Sequence, residues 1–403
     1  MEKRNKKKKT GVDGFIGRAF IVCTAVIMVA NILYPTQKVS EEENRSLASR
    51  PEVTAGSLAS GTFMEQYEKY LADQFFGRDM FRNLKVTLNR LGGSKQEAGV
   101  FIGSHDQLLD DIVVPDQQSL QDNLSSIKEF TEAYPDVPVS MILVPDKANI
   151  LSGNLPNLAT VADQNALISR VKKELNDSVQ WIDAVKVMSS HTKENIYYKT
   201  DHHWTTLGAF YTFKEAAPIL GIEEDVSSMF VSYPVTTEFN GTLAAKSGCR
   251  MNVKETIDIF VPKDIENEMV VNYVEEQKKT TSVYEADKLD TRDKYGLFFG
   301  GNSPVIDIKT VSSSKDRLLV IKDSYANCFV PFLTPFYREI VMVDPRYYSG
   351  TIQDIMSTYG ITDVVFLYSG NTFFQDNSIN GVLNVEQSNE AGVSAKDGAG
   401  EAE

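Results

Sequence analysis

Residues 318–325 of this chain read Leu318-Leu319-Val320-Ile321-Lys322-Asp323-Ser324-Tyr325, and they indicate its fold class. Its first four residues form an uninterrupted apolar run, which is typical of a strand buried on both faces of a parallel sheet. The pair Asp323-Ser324 follows at once, and a helix is predicted from about Tyr325. A serine at this junction lies at the carboxyl edge of the sheet, where open α/β folds bind ligands, and the helix would direct N–H groups toward it. The alternative is that Asp323 or Ser324 simply caps the helix.

Helical patterns alternate with apolar strands on both sides of this stretch. Further strands are predicted at 139–144, 179–182, 340–343 and 364–368, with helices at 120–130, 168–175 and 352–359. This alternation predicts an α/β fold with a parallel sheet flanked by helices. Residues 230–310 are richer in Val, Thr and Tyr and contain charged turns, so they are predicted to form a β-rich insertion.

The N-terminus is predicted to anchor the chain in a membrane. Residues 1–14 form a basic segment, and the apolar stretch 15–34 has about the ~20 residues that an α-helix needs to cross the hydrocarbon core. Lysines before this stretch and Glu41 to Glu43 after it place the N-terminus in the cytoplasm and the body outside. A cleaved signal peptide has the same basic start and apolar middle, and either reading exports the body.

The rest of the chain divides by composition. Residues 35–60 are predicted to be a stalk, 61–376 an α/β domain that includes the insertion, and 377–403 a disordered tail. Apolar residues between 63 and 91 recur at helical spacing, which predicts an amphipathic helix packed on the body. The net charge is −14, and because the first nine residues carry +5, the remainder carries −19. Such an acidic body repels phosphate backbones, so nucleic acid is excluded as a partner.

Two of the four histidines are adjacent, in Tyr198-Lys199-Thr200-Asp201-His202-His203-Trp204-Thr205. In extended backbone, side chains two apart point to the same side, so Asp201 is expected beside His203 with His202 facing the opposite way. A carboxylate that orients an imidazole is half of a catalytic triad, and Ser324 would supply the nucleophile. A capped turn or a surface ion pair is the simpler alternative. The hypothesis requires His203 and Ser324 to meet at one sheet edge.

The stretch 200–213, TDHHWTTLGAFYTF, is similar to the motif that names the bacterial DHHW protein family, which resembles the alginate O-acetyltransferase proteins of the SGNH-like superfamily. Further similarity lies in 43–48 (ENRSLA), 144–147 (VPDK), 321–325 (IKDSY) and 343–348 (VDPRYY). The similarity runs from about residue 40 to 370. It implies an SGNH-like α/β fold.

The resemblance also implies roles for particular residues. The relatives have Asp-x-His-Trp and a later Gly-Asp-Ser, which places acid, base and nucleophile on Asp201, His203 and Ser324. Lys322 stands where the relatives have glycine, and its bulk could alter the turn beside the nucleophile. The implied activity is transfer or hydrolysis of an O-acyl group, most simply acetyl, on a cell-surface polysaccharide. The implied partner is a membrane-bound O-acyltransferase that supplies the acyl donor, and no cofactor is expected.

Several other residues are candidates for the site. Asn302 and Asn371 follow glycines and could supply an oxyanion donor, although turn formation explains both equally well. Lys147 and Arg346 follow predicted strands, so they could bind an anionic sugar, buttress the site or remain solvated loop charges. Trp204 and Tyr325 could stack on sugar rings. Asp201, His202 and His203 could instead ligate a metal, but no third histidine lies at ligand spacing.

Two rivals to an enzyme remain open from the sequence. A catalytically inert module could keep the fold and bind polysaccharide through aromatic residues, among them Tyr347 and Tyr348. An assembly scaffold would depend on the insertion rather than on the triad. The sequence does not separate a transferase from an esterase, and it does not identify the glycan.

Overall fold

The structure, a computed structural model, describes residues 11–40, 42–43, 45–249, 251, 253–263 and 267–383. The chain forms two compact units, Met1–Ser94 and Lys95–Glu403. The predicted basic segment 1–14 lies mostly outside the described residues. Each unit is described below by itself.

The first unit begins with the long apolar helix α1 (Gly11–Leu33). Its segment Gly14–Leu33 is long and apolar enough to cross a membrane, and none of it is buried. The remaining elements are strands β1 (Val39–Ser40) and β2 (Arg45–Ser46) and helices α2 (Ala55–Ala59), α3 (Thr62–Asp73) and α4 (Arg78–Leu91).

The predicted amphipathic helix between 63 and 91 is two helices, α3 and α4. Gly77 precedes α4 with φ 70°, a left-handed conformation that interrupts the helix and favours glycine. Part of the predicted stalk is also held in place, because the buried Asp73 carboxylate accepts two hydrogen bonds from Arg45 and one from the Ala48 N–H. Composition alone had indicated neither feature.

The second unit contains the other elements. Its helices are α5 (Gln117–Ala133), α6 (Lys147–Ile150), α7 (Gln164–Leu175), α8 (Ala184–Ser190), α9 (Thr206–Ala216), α10 (Thr242–Ser247), α11 (Ile352–Tyr359), α12 (Gly370–Gln375) and α13 (Ile379–Leu383). Its strands are β3 (Gln96–Glu97), β4 (Val100–Ile102), β5 (Leu108–Asp110), β6 (Val139–Val144), β7 (Gln180–Ile182), β8 (Phe230–Phe239), β9 (Glu255–Pro262), β10 (Met269–Tyr273), β11 (Lys278–Thr280), β12 (Val305–Thr310), β13 (Arg317–Lys322), β14 (Glu339–Val343) and β15 (Asp363–Ser369).

An eight-stranded sheet organises this unit, in the order β11-β10-β12-β14-β13-β15-β6-β7. The five strands from β14 to β7 are parallel, and β12, β10 and β11 are antiparallel. Alternate residues of β13 face two separate cores: Leu318 and Val320 pack in one, Leu319 and Ile321 in the other. The continuous apolar strands are therefore buried on both faces, which confirms the predicted α/β class.

The region 230–310 is rich in strands, as predicted, but part of it belongs to the main sheet. Within 230–310, β10, β11 and β12 extend the main sheet, and β8 and β9 form a separate antiparallel ribbon. Val- and Thr-rich composition predicts strands but gives no information about which strands pair.

The structure also differs from the prediction of a helix that begins at about Tyr325. The structure has two short 3-10 turns, Ser324–Cys328 and Val330–Phe332. Pro331 lacks an N–H and would clash in an α-helix interior, so a longer helix cannot continue through it.

The predicted disordered tail, 377–403, is ordered over part of its length. Helix α13 lies inside that range, and Ile379, Val382 and Leu383 are buried in the second core. The short apolar pattern of α13 was hidden among the polar residues that surround it. Residues 384–403 lie outside the described residues.

Candidate active site

Ser324 follows β13 at the carboxyl edge of the sheet. From Leu318 to Thr334 every residue is buried except Ser324, which is half-buried. The Asp323 carboxylate fixes this edge by accepting hydrogen bonds from the Tyr325 N–H and from the N–H and hydroxyl of Ser369 at the end of β15. The fold therefore presents one hydroxyl from an otherwise buried segment.

Asp201, His203 and Ser324 form one hydrogen-bonded line. The Asp201 Oδ1 lies 2.7 Å from His203 Nδ1, and His203 Nε2 lies 2.8 Å from Ser324 Oγ. With Nδ1 protonated toward the carboxylate, Nε2 is left to accept the Ser324 O–H. The structure thus brings together side chains 121 positions apart in the chain.

The electrostatics of this line suit a neutral imidazole. Burial and the neighbouring His202 lower the pKa of His203 below its ordinary 6.5, against the raising effect of Asp201. Burial alone would raise the pKa of Asp201, but His202, His203 and the Thr242 N–H hold it well below its usual range. At neutral pH the carboxylate is charged and the imidazole can accept a proton.

Two charged side chains from distant elements brace the loop that carries Asp201 and His203. Lys147 is buried, and its Nζ donates to the carbonyl oxygens of Tyr198 (2.7 Å), Lys199 (3.2 Å) and Asp201 (2.8 Å). Glu255 accepts from the N–H groups of Lys199 and Thr200 and from the Thr200 hydroxyl. Lys147 therefore buttresses the site, which was one of its three predicted roles, and it is neither a solvated charge nor placed to contact a sugar.

Thr242 was missed by sequence reasoning. Its N–H and hydroxyl donate to Asp201 Oδ2 at 2.6 and 2.9 Å, so both carboxylate oxygens are fully paired. A Cβ on the preceding Gly241 would lie 2.4 Å from Asp201 Oδ2, which is why this approach requires glycine. The only signal in the sequence was a Gly-Thr pair at a helix start, and nothing linked it to a loop some forty positions away.

His202 does not face the opposite way, as extended backbone would require. The loop bends instead, and the His202 and His203 rings lie 3.9 Å apart. The His202 Nδ1 is 2.7 Å from the Thr242 hydroxyl. Ligand atoms of Asp201, His202 and His203 lie within 4.8 Å of one another. A metal ion among them would compete with the hydrogen bonds that join Asp201 and Ser324 to His203.

Tyr295 is a second residue that the sequence did not reveal. Its ring stacks on His203 at 3.8 Å between centroids, with an angle of 11° between the planes. Its hydroxyl donates to the Ser324 carbonyl oxygen at 3.3 Å. Tyr295 therefore fixes the imidazole plane and contacts the segment that carries Ser324.

Trp204 and Tyr325 are buried, which corrects the prediction that they stack on sugars. The Trp204 indole donates to the Tyr325 carbonyl oxygen at 3.0 Å, and the Tyr325 hydroxyl donates to the His202 carbonyl oxygen at 2.5 Å. These bonds join the segment that carries Ser324 to the loop that carries His203. Amphipathic aromatic side chains look the same in sequence whether they bind ligand or fill a core.

Lys322 is fully buried, two residues before Ser324. Its Nζ donates to Asn327 Oδ1 at 2.8 Å and lies 3.9 Å from Asp344 Oδ2, and burial lowers its pKa to about 8. Asn327 Nδ2 donates to Asn302 Oδ1 at 3.3 Å. Because the Asn302 oxygen faces Asn327, the NH2 group of this exposed side chain points away from Asn327. Arg346 is exposed and pairs with Asp344 through two hydrogen bonds, and its role in binding a sugar stays a prediction.

Asn371 has a structural role that corrects its prediction as an oxyanion donor. Its N–H donates to the buried Asp146 carboxyl, whose pKa burial raises to about 7. Its side chain donates to the Asp111 carbonyl oxygen and accepts from the Val113 N–H. Asn371 therefore holds residues 111–113, a long-range role that differs from the predicted turn formation.

Comparison with known proteins gives a family and a fold. The family model described as DHHW protein matches residues 137–343, just over half of the chain. No curated protein matches the chain. A DHHW family protein from Eubacterium siraeum superposes with a TM-score of 0.61 and 24% identity, over 71% of this chain and 95% of that one.

Two further solved structures are similar. Bacillus cereus PatB1, solved with a sulfonyl adduct, gives a TM-score of 0.56 and 19% identity, over 69% of this chain and 98% of that one. The O-acetyltransferase domain of Pseudomonas putida AlgJ gives a TM-score of 0.46 and 14% identity, over 73% of this chain and 99% of that one. The first two superpositions show that the chain shares the α/β fold of these proteins, which confirms the predicted fold class.

Proposed function

The chain belongs to the DHHW protein family, and from this premise we propose that it is an extracytoplasmic O-acyltransferase or esterase that acts on a cell-surface polysaccharide. The observation that carries the proposal is the unbroken line from the buried Asp201 carboxylate through His203 to the half-buried Ser324 hydroxyl. The anchor α1 would hold the body outside the membrane.

In this mechanism Ser324 Oγ attacks the acyl carbonyl while His203 Nε2 takes the hydroxyl proton. Asp201 holds the imidazole in the productive tautomer and stabilises its positive charge. His203 then returns the proton to the leaving group, and the acyl-serine ester passes to a sugar hydroxyl or to water. Asn302 remains the candidate oxyanion donor, together with the backbone N–H of Ser324 itself.

The acyl donor in this proposal is supplied outside the cytoplasm. Cytosolic acyl-coenzyme A is not present there, so a transferase would receive its acyl group from a membrane-bound O-acyltransferase partner. An esterase needs only the acylated polysaccharide and water. Acetyl is the proposed acyl group.

The test is acylation of Ser324 in the full chain. Purified protein in detergent is incubated with an activated acetyl ester, and peptides are mapped by mass spectrometry. We expect an acetyl group on Ser324 in the wild type and none at that position in Ser324→Ala. Ser190→Ala, at an exposed serine on α8, is the matched control and should keep the adduct. Absence of any Ser324 adduct in the wild type contradicts the proposal.

Two further measurements separate this reading from its rivals. Unchanged glycan binding and an unchanged envelope phenotype in Ser324→Ala would favour an inert binding module. A chelator that abolishes acylation, with recovery on adding a divalent metal, would favour metal chemistry at Asp201, His202 and His203.

A further inference from the structure

Helices α3 and α4 are tied to the end of the apolar helix α1. Asn31, in the last turn of α1, donates to the Ile27 carbonyl oxygen through Nδ2 and accepts the Phe76 N–H through Oδ1, both at 2.8 Å. The rings of Tyr34 and Phe76 meet edge to face, with 5.6 Å between centroids. The turn between α3 and α4 therefore lies at the level where the apolar segment ends.

A second pair of bonds strengthens this attachment. The Gln37 N–H donates to Gln74 Oε1, and Gln74 Nε2 donates to the Gln37 carbonyl oxygen, each at 2.8 Å. The connection is thus made by one reciprocal amide pair, one amide cap and one ring contact. If α1 spans the bilayer, α4 starts at its outer surface.

Helix α4 exposes an apolar stripe. Along its 14 residues, large apolar side chains recur at steps of three and four, and they stay 43 to 80% exposed. The stripe consists of Met80, Phe81, Leu84, Leu88 and Leu91. Residues at these steps share one face of an α-helix, and the opposite face carries polar side chains such as Arg82 and Asn89.

The charges on α4 fit a lipid surface. Lys85 and Arg90 are exposed and flank the stripe on its two sides. Long basic side chains in these positions keep their charge in the headgroup layer while their stems cover apolar surface. Phe75 and Phe76, both partly exposed, lie at the same end of α1, where membrane proteins concentrate aromatic residues.

The length of α4 excludes a second crossing. Fourteen residues extend about 21 Å at about 1.5 Å per residue, short of the ~30 Å hydrocarbon core. A basic helix with one apolar face and a fixed position beside a membrane exit has the properties of an interfacial helix.

We propose that α4 lies along the outer surface of the membrane, with its stripe in the boundary between headgroups and acyl chains. Lipid therefore covers the apolar side chains of the stripe. The inference rests on the proposed membrane anchor and not on the chemistry of Ser324. It would give the first unit two attachments to the bilayer.

The test measures the depth of two positions on α4 in the full chain. Cys23→Ser removes the exposed thiol, and the other two cysteines are buried. Leu88→Cys and Arg90→Cys each carry an environment-sensitive fluorophore, and the proteins are reconstituted in vesicles of phosphatidylcholine and phosphatidylglycerol. The two positions are two residues apart and project from nearly opposite sides of the helix.

A label at 88 should lie about 5–10 Å below the headgroup boundary, so spin-labelled lipids should quench it at least about twofold more than the label at 90. Aqueous iodide should show the reverse order. Equal lipid quenching at both positions, or stronger iodide quenching at 88, overturns the proposal and indicates that the stripe awaits a protein partner.

Flotation of the vesicles separates the possible failures. Protein that does not float with lipid lacks the anchor, and both the anchor and the interfacial helix are then refuted. Protein that floats but exposes residue 88 to iodide keeps the anchor and loses only the interfacial helix. Acetylation of Ser324, measured on the same samples, reports on the proposed function independently.

Discussion

The loop 197–205 and the segment 322–328 meet at the hydrogen bond between His203 and Ser324, yet they are held in different ways. The loop has no regular secondary structure beyond a single bridge between Tyr197 and Trp204. Its backbone is fixed by the side chains of Lys147 from α6 and Glu255 from β9, and its Asp201 carboxylate is fixed by Thr242 at the start of α10. The segment continues a central strand and is fixed by near neighbours and by the adjacent β15. His203 is thus positioned by long-range contacts, and Ser324 mainly by the sheet.

One buried lysine contacts the loop and another lies in the segment, so the comparison can be tested by replacing each of them. Lys147 beneath the loop and Lys322 in the segment are both fully buried, and burial lowers the pKa of each to about 8. Lys147 satisfies three carbonyl oxygens, whereas Lys322 contacts one amide and lies 3.9 Å from a carboxylate that Arg346 already pairs. The two lysines should therefore differ in what they contribute.

The largest effect is expected from Asp201→Asn in the loop. The carboxylate accepts from His203 on one oxygen and from Thr242 on the other, and an amide can satisfy only one side. The wrong imidazole tautomer should reduce the rate of Ser324 acetylation by about 10⁴-fold. Intact-mass kinetics measure this rate. A loss of less than about tenfold would mean that Asp201 does not orient the base.

Lys147→Met should destabilise the loop and with it the folded chain. Methionine fills much of the volume but leaves the carbonyl oxygens of Tyr198, Lys199 and Asp201 without their shared donor. We expect the free energy of unfolding of the full chain to fall by about 3 kcal/mol, with slower acetylation. Urea denaturation in detergent measures the first quantity. A change below about 0.5 kcal/mol would show that solvent or a shifted side chain replaces the lysine.

Lys322→Met is the matched change in the other region, and it should lower the free energy of unfolding by less. Removing a buried ammonium relieves its desolvation, and Asp344 keeps both bonds from Arg346, so stability should change by no more than about 1 kcal/mol. Asn327 loses the donor that orients its amide toward Asn302, and the acetylation rate should fall by about tenfold or less. Destabilisation equal to that of Lys147→Met would remove the distinction between the two regions.

The same distinction explains what could be predicted from the sequence. The parallel strands and the serine at the edge of β13 follow from local apolar runs, so their positions were found within one or two residues. The pairing of β10 and β12 with the main sheet, the carboxylate contact of Thr242 and the ring contact of Tyr295 depend on long-range packing. Trp204 and Tyr325 were assigned to a ligand surface because sequence does not distinguish an exposed aromatic residue from a buried one. His202 was misplaced because the loop is bent where extended backbone was assumed.

The smallest expected effect is a shift in the pH dependence of acetylation, and only changes in the loop should produce it. His203 acts as a base only when neutral, so acetylation should decline as pH falls through its lowered pKa, with half-maximal activity below pH 6.5. Because His202 contributes to lowering that pKa, His202→Gln should move the half-maximal pH upward while its amide can still bond to Thr242. Lys322→Met, in the other region, should leave this acid limb where it is. A limb that moves with Lys322→Met and not with His202→Gln would mean that the group titrating in the reaction belongs to the nucleophile segment.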